Sequence, residues 1–456
     1  MLVFESPRGH CGTDWLYAST SGIQPFYFDG PKRTSKFRAQ LAQIHNLNDD
    51  RVCLLRCLIL VGVESMKTTN QKRVAQPHSL NGHHAFYIRE EKKLRPEQER
   101  ENGKVRVLTV LDLFAGAGGF TLGFVQDGFV PVFAVEIDKH ASATYEANFG
   151  PHCSTEDINN IKVFPPADVI VGGPPCQGFS NLGAHIPNDP RNQLWRHYVR
   201  AVDQVRPLVF VVENVPPLLN SEEGQELIRA TRALGYQVQG RILTAADYGA
   251  PQVRKRTIII GSRVGPVIFP EQTHIDPKKR DLHTLHLYNW TTVRQAISDL
   301  PLAPTEYSLH VGRHPTPKSI ERYRHIPPGG NRWNLPPDLM PDCWKRKIKG
   351  GTDLFGRLRW DEPSVTIRTE FFKPEKGRYL HPEADRPITH REAARLQCFP
   401  DEFVFKGTKI EIAKQIGNAV PVKLAHAIAN AVRQMICTEP SEGVVASELK
   451  TSGFKG

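Results

Sequence analysis

The residues best equipped for chemistry stand in a few short stretches between positions 112 and 256. From Gly172 to Ser180 the chain reads GGPPCQGFS, where prolines stiffen and glycines free the backbone around Cys176. A thiolate is a strong nucleophile once a positive or hydrogen-bonding environment populates it at neutral pH. Packed in an apolar interior, the same cysteine is inert. Glu213-Asn214-Val215 contributes a carboxyl group, and a carboxyl half-buried beside a nucleophile becomes a proton donor. Gln252-Val253-Arg254-Lys255-Arg256 spaces two guanidiniums for one face of an extended segment, suited jointly to an anion or a carbonyl. Asp112 to Gly119, DLFAGAGG, has the glycines of a tight turn that lets backbone approach a ligand, without the full GxGxxG fingerprint. Glu136 is spaced to accept ribose hydroxyls and Asp157 to accept from an adenine amino group, so an adenosine-containing cofactor is suggested. Taken singly, each stretch has a plainer reading: a tight turn, a packed thiol, a surface acid, a solvated basic face.

Position is what joins them. Apolar patterning predicts strands at 105–114, 130–135, 168–172, 208–212 and 257–261, with an extended segment at 236–244. Helical stretches at 120–127, 139–148, 194–204 and 225–234 alternate with them, which indicates a doubly wound α/β sheet. Ligands in such sheets bind at the carboxyl ends of strands, where these residues fall. Thr389 and Glu392 have capping-box spacing, and a last helix at about 422–435 follows the Gly417–Pro421 turn.

The chain has 456 residues, with 59 Lys+Arg against 48 Asp+Glu, a net +11 that calls for a polyanionic partner. Residues 105–261 carry 13 basic and 15 acidic side chains, whereas 262–360 carry 16 and 9, so the excess avoids the chemistry-bearing stretch and concentrates after it. That later segment is rich in proline and glycine, as in 326–333, and reads as a small loop-rich domain. Eight cysteines without a CxxC pair argue against a disulfide scaffold and structural zinc, and no metal is expected. The apolar run 52–63 is too short to span a membrane and no signal peptide opens the chain, so a soluble cytoplasmic protein is expected, nucleoid-associated if the host is bacterial. Residues 1–104 read as an extension of unassigned role, in which Met66 offers an alternative start; 438–456 read as a flexible tail.

The ordered set FAGAGG (114–119), PPCQGFS (174–180), ENV (213–215), QVRKR (252–256), REAARLQCFP (391–400) and GNAVP (417–421) resembles the DNA (cytosine-5)-methyltransferases of bacterial restriction–modification type, over about 107–432. The resemblance implies a Rossmann-like, S-adenosylmethionine-dependent catalytic domain (105–261), a small target-recognition domain (262–409) and a C-terminal helix (410–437) completing the first. It implies Cys176 as the nucleophile toward cytosine C6, and Glu213 bonding N3 and the exocyclic amine. Arg256 would bond O2, while Arg254 orders the catalytic loop. Phe114, Gly116, Glu136, Asp157, Pro175, Leu194 and Asn418 would line the S-adenosylmethionine pocket. Gln177 and Ser180 would lie in a loop closing over double-stranded DNA, and the cytosine would be flipped out of the duplex. In the basic segment, Arg322, Arg324, Arg332, Trp333 and Asn334, with Asn331, are candidate base or phosphate contacts, since Arg and Asn read major-groove edges; an exposed polar loop fits each singly as well. A cognate restriction endonuclease is a possible partner. A tRNA cytosine-5 methyltransferase and a non-catalytic DNA-binding regulator are the competing readings.

Overall fold

Four runs, VLDL (110–113), AV (134–135), VIV (169–171) and VFVV (209–212), are buried on both faces, which the interior of a sheet provides. The computed structural model describes residues 100–101, 104–175, 193–305, 308–346 and 350–437. Cys176, Gln177, Ser180, nearly all of the 1–104 extension and the 438–456 tail lie outside the described residues.

The main sheet is built from β1 (Thr109–Leu113), β2 (Val130–Val135), β3 (Cys153–Ser154), β4 (Val169–Gly172), β5 (Val209–Asn214), β6 (Gln237–Thr244) and β8 (Lys255–Ser262), with the two-residue β7 (Gln252–Val253) outside it. Its spatial order is β3-β2-β1-β4-β5-β8-β6. Strands β1 to β5 run parallel, and β8 lies antiparallel between β5 and β6. The order reverses between β1 and β4, and such a switch point opens a crevice at the carboxyl edge. Alternation along the strands divides the core. Val110, Val169, Val171, Val209 and Val211 face one layer, and Leu111, Leu113, Ile170, Phe210 and Val212 face the other.

Helices α1 (Gly119–Gln126), α2 (Lys139–Phe149), α3 (Leu194–Val205) and α4 (Glu222–Ala233) connect the strands. Asp138 caps α2 and Ser221 caps α4 through backbone N–H groups. Two strands run further than expected: β5 includes Glu213 and Asn214, and β8 starts at Lys255. The reason is pairing, since Ile258 faces Glu213 and Thr257 faces Asn214 across the antiparallel ladder.

Beyond the sheet lie α5 (Pro317–Arg324), α6 (His390–Leu396), α7 (Lys409–Asn418) and α8 (Val422–Cys437). Helix α5 was not expected, although Thr316 and Pro317 form an ordinary helix start. The stretch 410–437, expected to hold one helix, holds two, because the chain leaves helical geometry at Ala419 before Pro421. The Thr389–Glu392 capping box is present. Helix α8 returns to pack on α1, so closely that a Cβ on Gly123 would strike Ala425. A further apolar cluster joins Leu122 and Val422 to Ile297, Ile367, Phe371 and Leu396, crossing the boundary expected at residue 409. Tyr323, Ile326, Leu335, Phe355 and Leu380 form a separate small core. Among the described residues no helix is long and apolar enough to cross a membrane.

Candidate active site

The turn after β1 shows why its glycines are there. Phe114 (φ 59), Gly116 (φ 57) and Gly118 (φ 86) all take left-handed backbone, a strained conformation for Phe114 costing about 1–3 kcal/mol. A Cβ on Gly118 would strike Phe149 of α2, and one on Gly119 would strike the Val420 carbonyl. Above Gly116 the space is open. The turn is thus clamped by α2 on one side and by residues 419–420 on the other, which brings the exposed Asn418 at the end of α7 to the same edge.

Glu136 follows β2 and ties the two turns together: Gly116 N–H donates to Oε2 and Asp138 N–H to Oε1, each at 2.8 Å. Burial pushes this carboxyl upward while these bonds pull it back. Each oxygen keeps acceptor capacity toward a ligand. Ile137 beside it is 68% exposed, an apolar surface at a polar turn that the sequence reading overlooked. Asp157 sits in the turn after β3, accepting the Asn159 N–H at 2.9 Å. Arg200 of α3 holds that turn by donating to the Ile158 and Ile161 carbonyls. Leu194 opens α3, half-buried against the core. Beneath the site, Asp112 accepts from Thr121 Oγ1 at 2.6 Å, and burial raises its pKa to about 7.

Across the switch point, Asn214 Nδ2 donates to the Pro174 carbonyl at 2.8 Å, holding the chain that carries Pro175 toward position 176. A Cβ on Gly173 would come within 3.1 Å of Glu213 Oε2, so the carboxylate lies against the base of the cysteine loop. Arg256 Nε pairs with Glu213 Oε1 at 2.7 Å, both side chains nearly buried. Arg254 departs from the expected arrangement. It stands between β7 and β8 rather than alternating along one strand, so it shares no exposed face with Arg256. Its guanidinium is buried, with Nη1 donating to the Ile367 carbonyl and Nη2 to that of Gly417, while Nε has no partner. Burial, and next Arg256, push its pKa down.

Two buried glutamines inside the quoted motifs were missed. Gln252 Nε2 donates to Gln397 Oε1 at 2.8 Å, Gln397 Nε2 donates to the Ile416 carbonyl, and Gln252 Oε1 accepts from Ile367 N–H. This relay ties QVRKR, REAARLQCFP and GNAVP into one assembly. An uncharged polar residue recurring in motifs otherwise made of charged and apolar residues was the available signal.

The basic-segment candidates separate. Arg332 is only 1% exposed and donates to the Gly350 carbonyl, so it is withdrawn as a DNA contact: a guanidinium enclosed by its own chain cannot reach a groove. Arg322 is half-buried and donates to the Leu339 carbonyl. Arg324 and Trp333 are exposed, and the exposed Asn334 accepts from Asn331 N–H, its side chain already engaged in a local cap.

A sheet of this order with one antiparallel strand, a glycine turn after β1 and an acid after β2 defines the Rossmann-like fold of S-adenosylmethionine-dependent methyltransferases. The family of C-5 cytosine-specific DNA methylases matches over residues 108–434, and this chain belongs to it. It is 39% identical over 356 residues to the type II methyltransferase M1.HphI of Haemophilus parahaemolyticus, covering 73% of this chain and 88% of the relative. To M.Eco47II of Escherichia coli it is 33% identical over 428 residues, covering 87% and 98%. A crystal structure titled as a DNA modification methyltransferase encoded within an E. coli prophage superposes with a TM-score of 0.54 at 28% identity, covering 72% of this chain and 99% of that one. The enzyme is a DNA cytosine-5 methyltransferase of the restriction–modification type, and its cofactor is S-adenosylmethionine. The open cradle at Gly116 and the acceptors of Glu136 fit that cofactor.

Proposed function

We propose that methyl transfer to C5 proceeds through a covalent bond between Cys176 Sγ and C6 of a flipped-out cytosine in a specific duplex sequence. The observation that supports this most is the Glu213–Arg256 pair, lying against Gly173 three residues before Cys176. Cytosine C5 is a poor nucleophile. Addition of the thiolate to C6 moves ring electrons toward C5 and N3. Glu213 hydrogen-bonds N3 and the exocyclic amine, and Arg256 hydrogen-bonds O2, so charge develops against groups already in position. When bound, S-adenosylmethionine supplies the electrophilic methyl group. Departure of the C5 proton to a solvent base then breaks the Sγ–C6 bond and restores the thiolate, dividing one hard step into easier ones. Arg254 acts from the interior, ordering the backbone around the catalytic loop.

In this reading Phe114, Gly116, Pro175, Leu194 and Asn418 line the cofactor pocket. Glu136 takes the ribose hydroxyls, Asp157 the adenine amine, and Ile137 an adenine face. Gln177 and Ser180 belong to the loop that closes over DNA. Residues 262–409 serve target recognition, with Arg324, Asn334 and, less directly, Arg322 toward the duplex, and α8 completes the catalytic domain. Flipping costs a few kcal/mol, which contacts to the duplex offset. A restriction endonuclease acting on the same site is the expected partner. The DNA methylase family match and the intact Glu213–Arg256 pair favour DNA over tRNA and catalysis over mere binding. Bisulfite sequencing of DNA from expressing cells, beside labelled-methyl incorporation into plasmid and tRNA, is the test. One methylated motif in duplex DNA is expected; label entering tRNA alone would overturn the reading.

A further inference from the structure

Residues 274–290 leave the catalytic sheet and return to the place they left. Two short parallel strands, His274–Ile275 and Tyr288–Asn289, pair at the base of this excursion. One residue pins both of its ends: the Asp247 carbonyl accepts the Thr273 N–H at 3.0 Å, and the Asp247 carboxylate accepts Trp290 Nε1 at 2.9 Å. The residues between, 276–287, form a compact surface loop with adjoining ends, a kind of loop that frequently carries function.

The loop is braced from within. Asp276 accepts the Lys278 N–H, and Asp281 accepts those of His283 and Thr284. Arg280 donates from Nη1 to Asn289 Oδ1 at 2.6 Å and from Nη2 to the Leu285 carbonyl at 2.9 Å. Leu287 is buried beneath it, yet Leu282 is 84% exposed, Leu285 59% and Tyr288 72%. Large apolar side chains grouped on a braced loop, unable to fold inward, call for a partner that covers them.

Charge and position select the partner. Both aspartates are spent on backbone N–H groups, whereas Lys278 and Lys279 stand exposed just before Leu282. Lys278 reaches Glu362 only at 3.8 Å, between two exposed side chains, which is a weak pair. Asp247 lies just past the end of β6, whose Thr244 pairs with Lys255, the neighbour of Arg256. Burial pushes the Asp247 pKa up, and the Trp290 bond and the charges of Lys279 and Lys255 pull against it, so both lysines stand close to this carboxylate. The loop therefore rises from the same carboxyl edge as the Glu213–Arg256 pair.

We propose that loop 276–287 is a second grip on the substrate duplex: Lys278 and Lys279 meet backbone phosphates to one side of the target cytosine, and Leu282 and Leu285 press on the sugars lining the adjacent groove. The proposal rests on the duplex-DNA reading above. The loop falls within the expected recognition segment, yet it hangs from the sheet through Asp247 and not from the small core around Tyr323. Phosphate and sugar contacts carry no sequence information, so this grip adds affinity without choosing the motif.

The test uses the full chain and a duplex carrying its methylated motif, with binding titrations and hydroxyl-radical footprints, which report on sugars. Leu282→Ser/Leu285→Ser and Lys278→Gln/Lys279→Gln are each expected to weaken duplex binding about tenfold and to lose protection over one short run beside the target. The glutamine pair should also lower the slope of log affinity against log salt by about two, and the serine pair should leave it unchanged. Bisulfite sequencing should find the same motif methylated by both. Unchanged affinity and footprint in either variant overturns the grip, and so does a changed motif, which would make the loop a reader of sequence. Sedimentation of the free proteins tests a second copy of this chain in place of DNA: a wild-type dimer that the serine pair converts to monomer overturns the proposal. S-adenosylmethionine affinity checks folding, and if the serine pair loses it, the glutamine pair decides by the same readouts. A wild type that methylates no duplex DNA removes the functional reading itself, a result distinct from these.

Discussion

The carboxyl edge of the sheet and the loop-rich segment 262–360 use arginine in opposite ways. At the edge, Arg256 pairs with the carboxylate of Glu213, the group proposed to bond the target base. In the loop-rich segment, Arg357 donates to the carbonyls of Tyr323, Ile326, His381 and Ala384 as well as to Asp385, and Arg332 and Arg322 likewise serve carbonyls. A region without long helices or ladders leaves backbone acceptors unpaired, and burying them unpaired is costly. Arginine, with five donors, replaces the missing ladder. The excess of 16 basic over 9 acidic side chains in this segment is therefore not all available to a polyanion, since part of that charge holds the fold together. Arg254 belongs to both patterns, as a buried carbonyl donor two residues before Arg256.

This contrast is open to breaking by substitution. Glu213→Gln should lower kcat by roughly 10²–10⁴ while leaving S-adenosylmethionine affinity near wild type, as single-turnover kinetics and titration would reveal. Arg357→Ala should act on the fold instead, with a loss of about 3–5 kcal/mol in denaturant unfolding, because it strands several buried acceptors and Asp385. Equal effects of the two on unfolding would erase the distinction.

Asp112 sharpens the contrast within the sheet. Burial pushes its pKa from the ordinary 3.8 up to about 7, so between these values the native state holds the proton more than the unfolded chain does. Stability from this group therefore falls as pH rises from about 4 to 7, with a slope of at most about 1.4 kcal/mol per pH unit. Asp112→Asn should flatten that slope in unfolding measured across the window. The smallest effect is expected at Arg324, exposed and 3.4 Å from Asp385: Arg324→Ala should change stability by under about 0.5 kcal/mol yet reduce the salt dependence of DNA binding.

How far the sequence could be read follows the same division. Strand β2 has the expected bounds, and helices α1 to α4 end within a few residues of expectation, because period and caps are local signals. The clustering of Phe114, Glu136, Asp157, Glu213 and Arg256 at one edge was legible because alternating strands and helices force strand ends together. Arg332 was misread because burial of a charged residue in a loop is decided by carbonyls that pattern does not reveal. Arg254 was misread in its surroundings because alternation assumes a continuous strand, and the chain instead breaks between β7 and β8. The Gln252–Gln397 relay joins residues 145 apart, a contact no local periodicity can register.

The proposed reaction turns on a bond between the Cys176 sulfur and C6 of the target base. Incubation with S-adenosylmethionine and a duplex carrying 5-fluorocytosine at the target tests it directly, since fluorine at C5 cannot leave as a proton does. A denaturation-resistant protein–DNA adduct is expected for the wild type, and neither adduct nor methyl transfer for Cys176→Ser. Full methyl transfer by Cys176→Ser would contradict it.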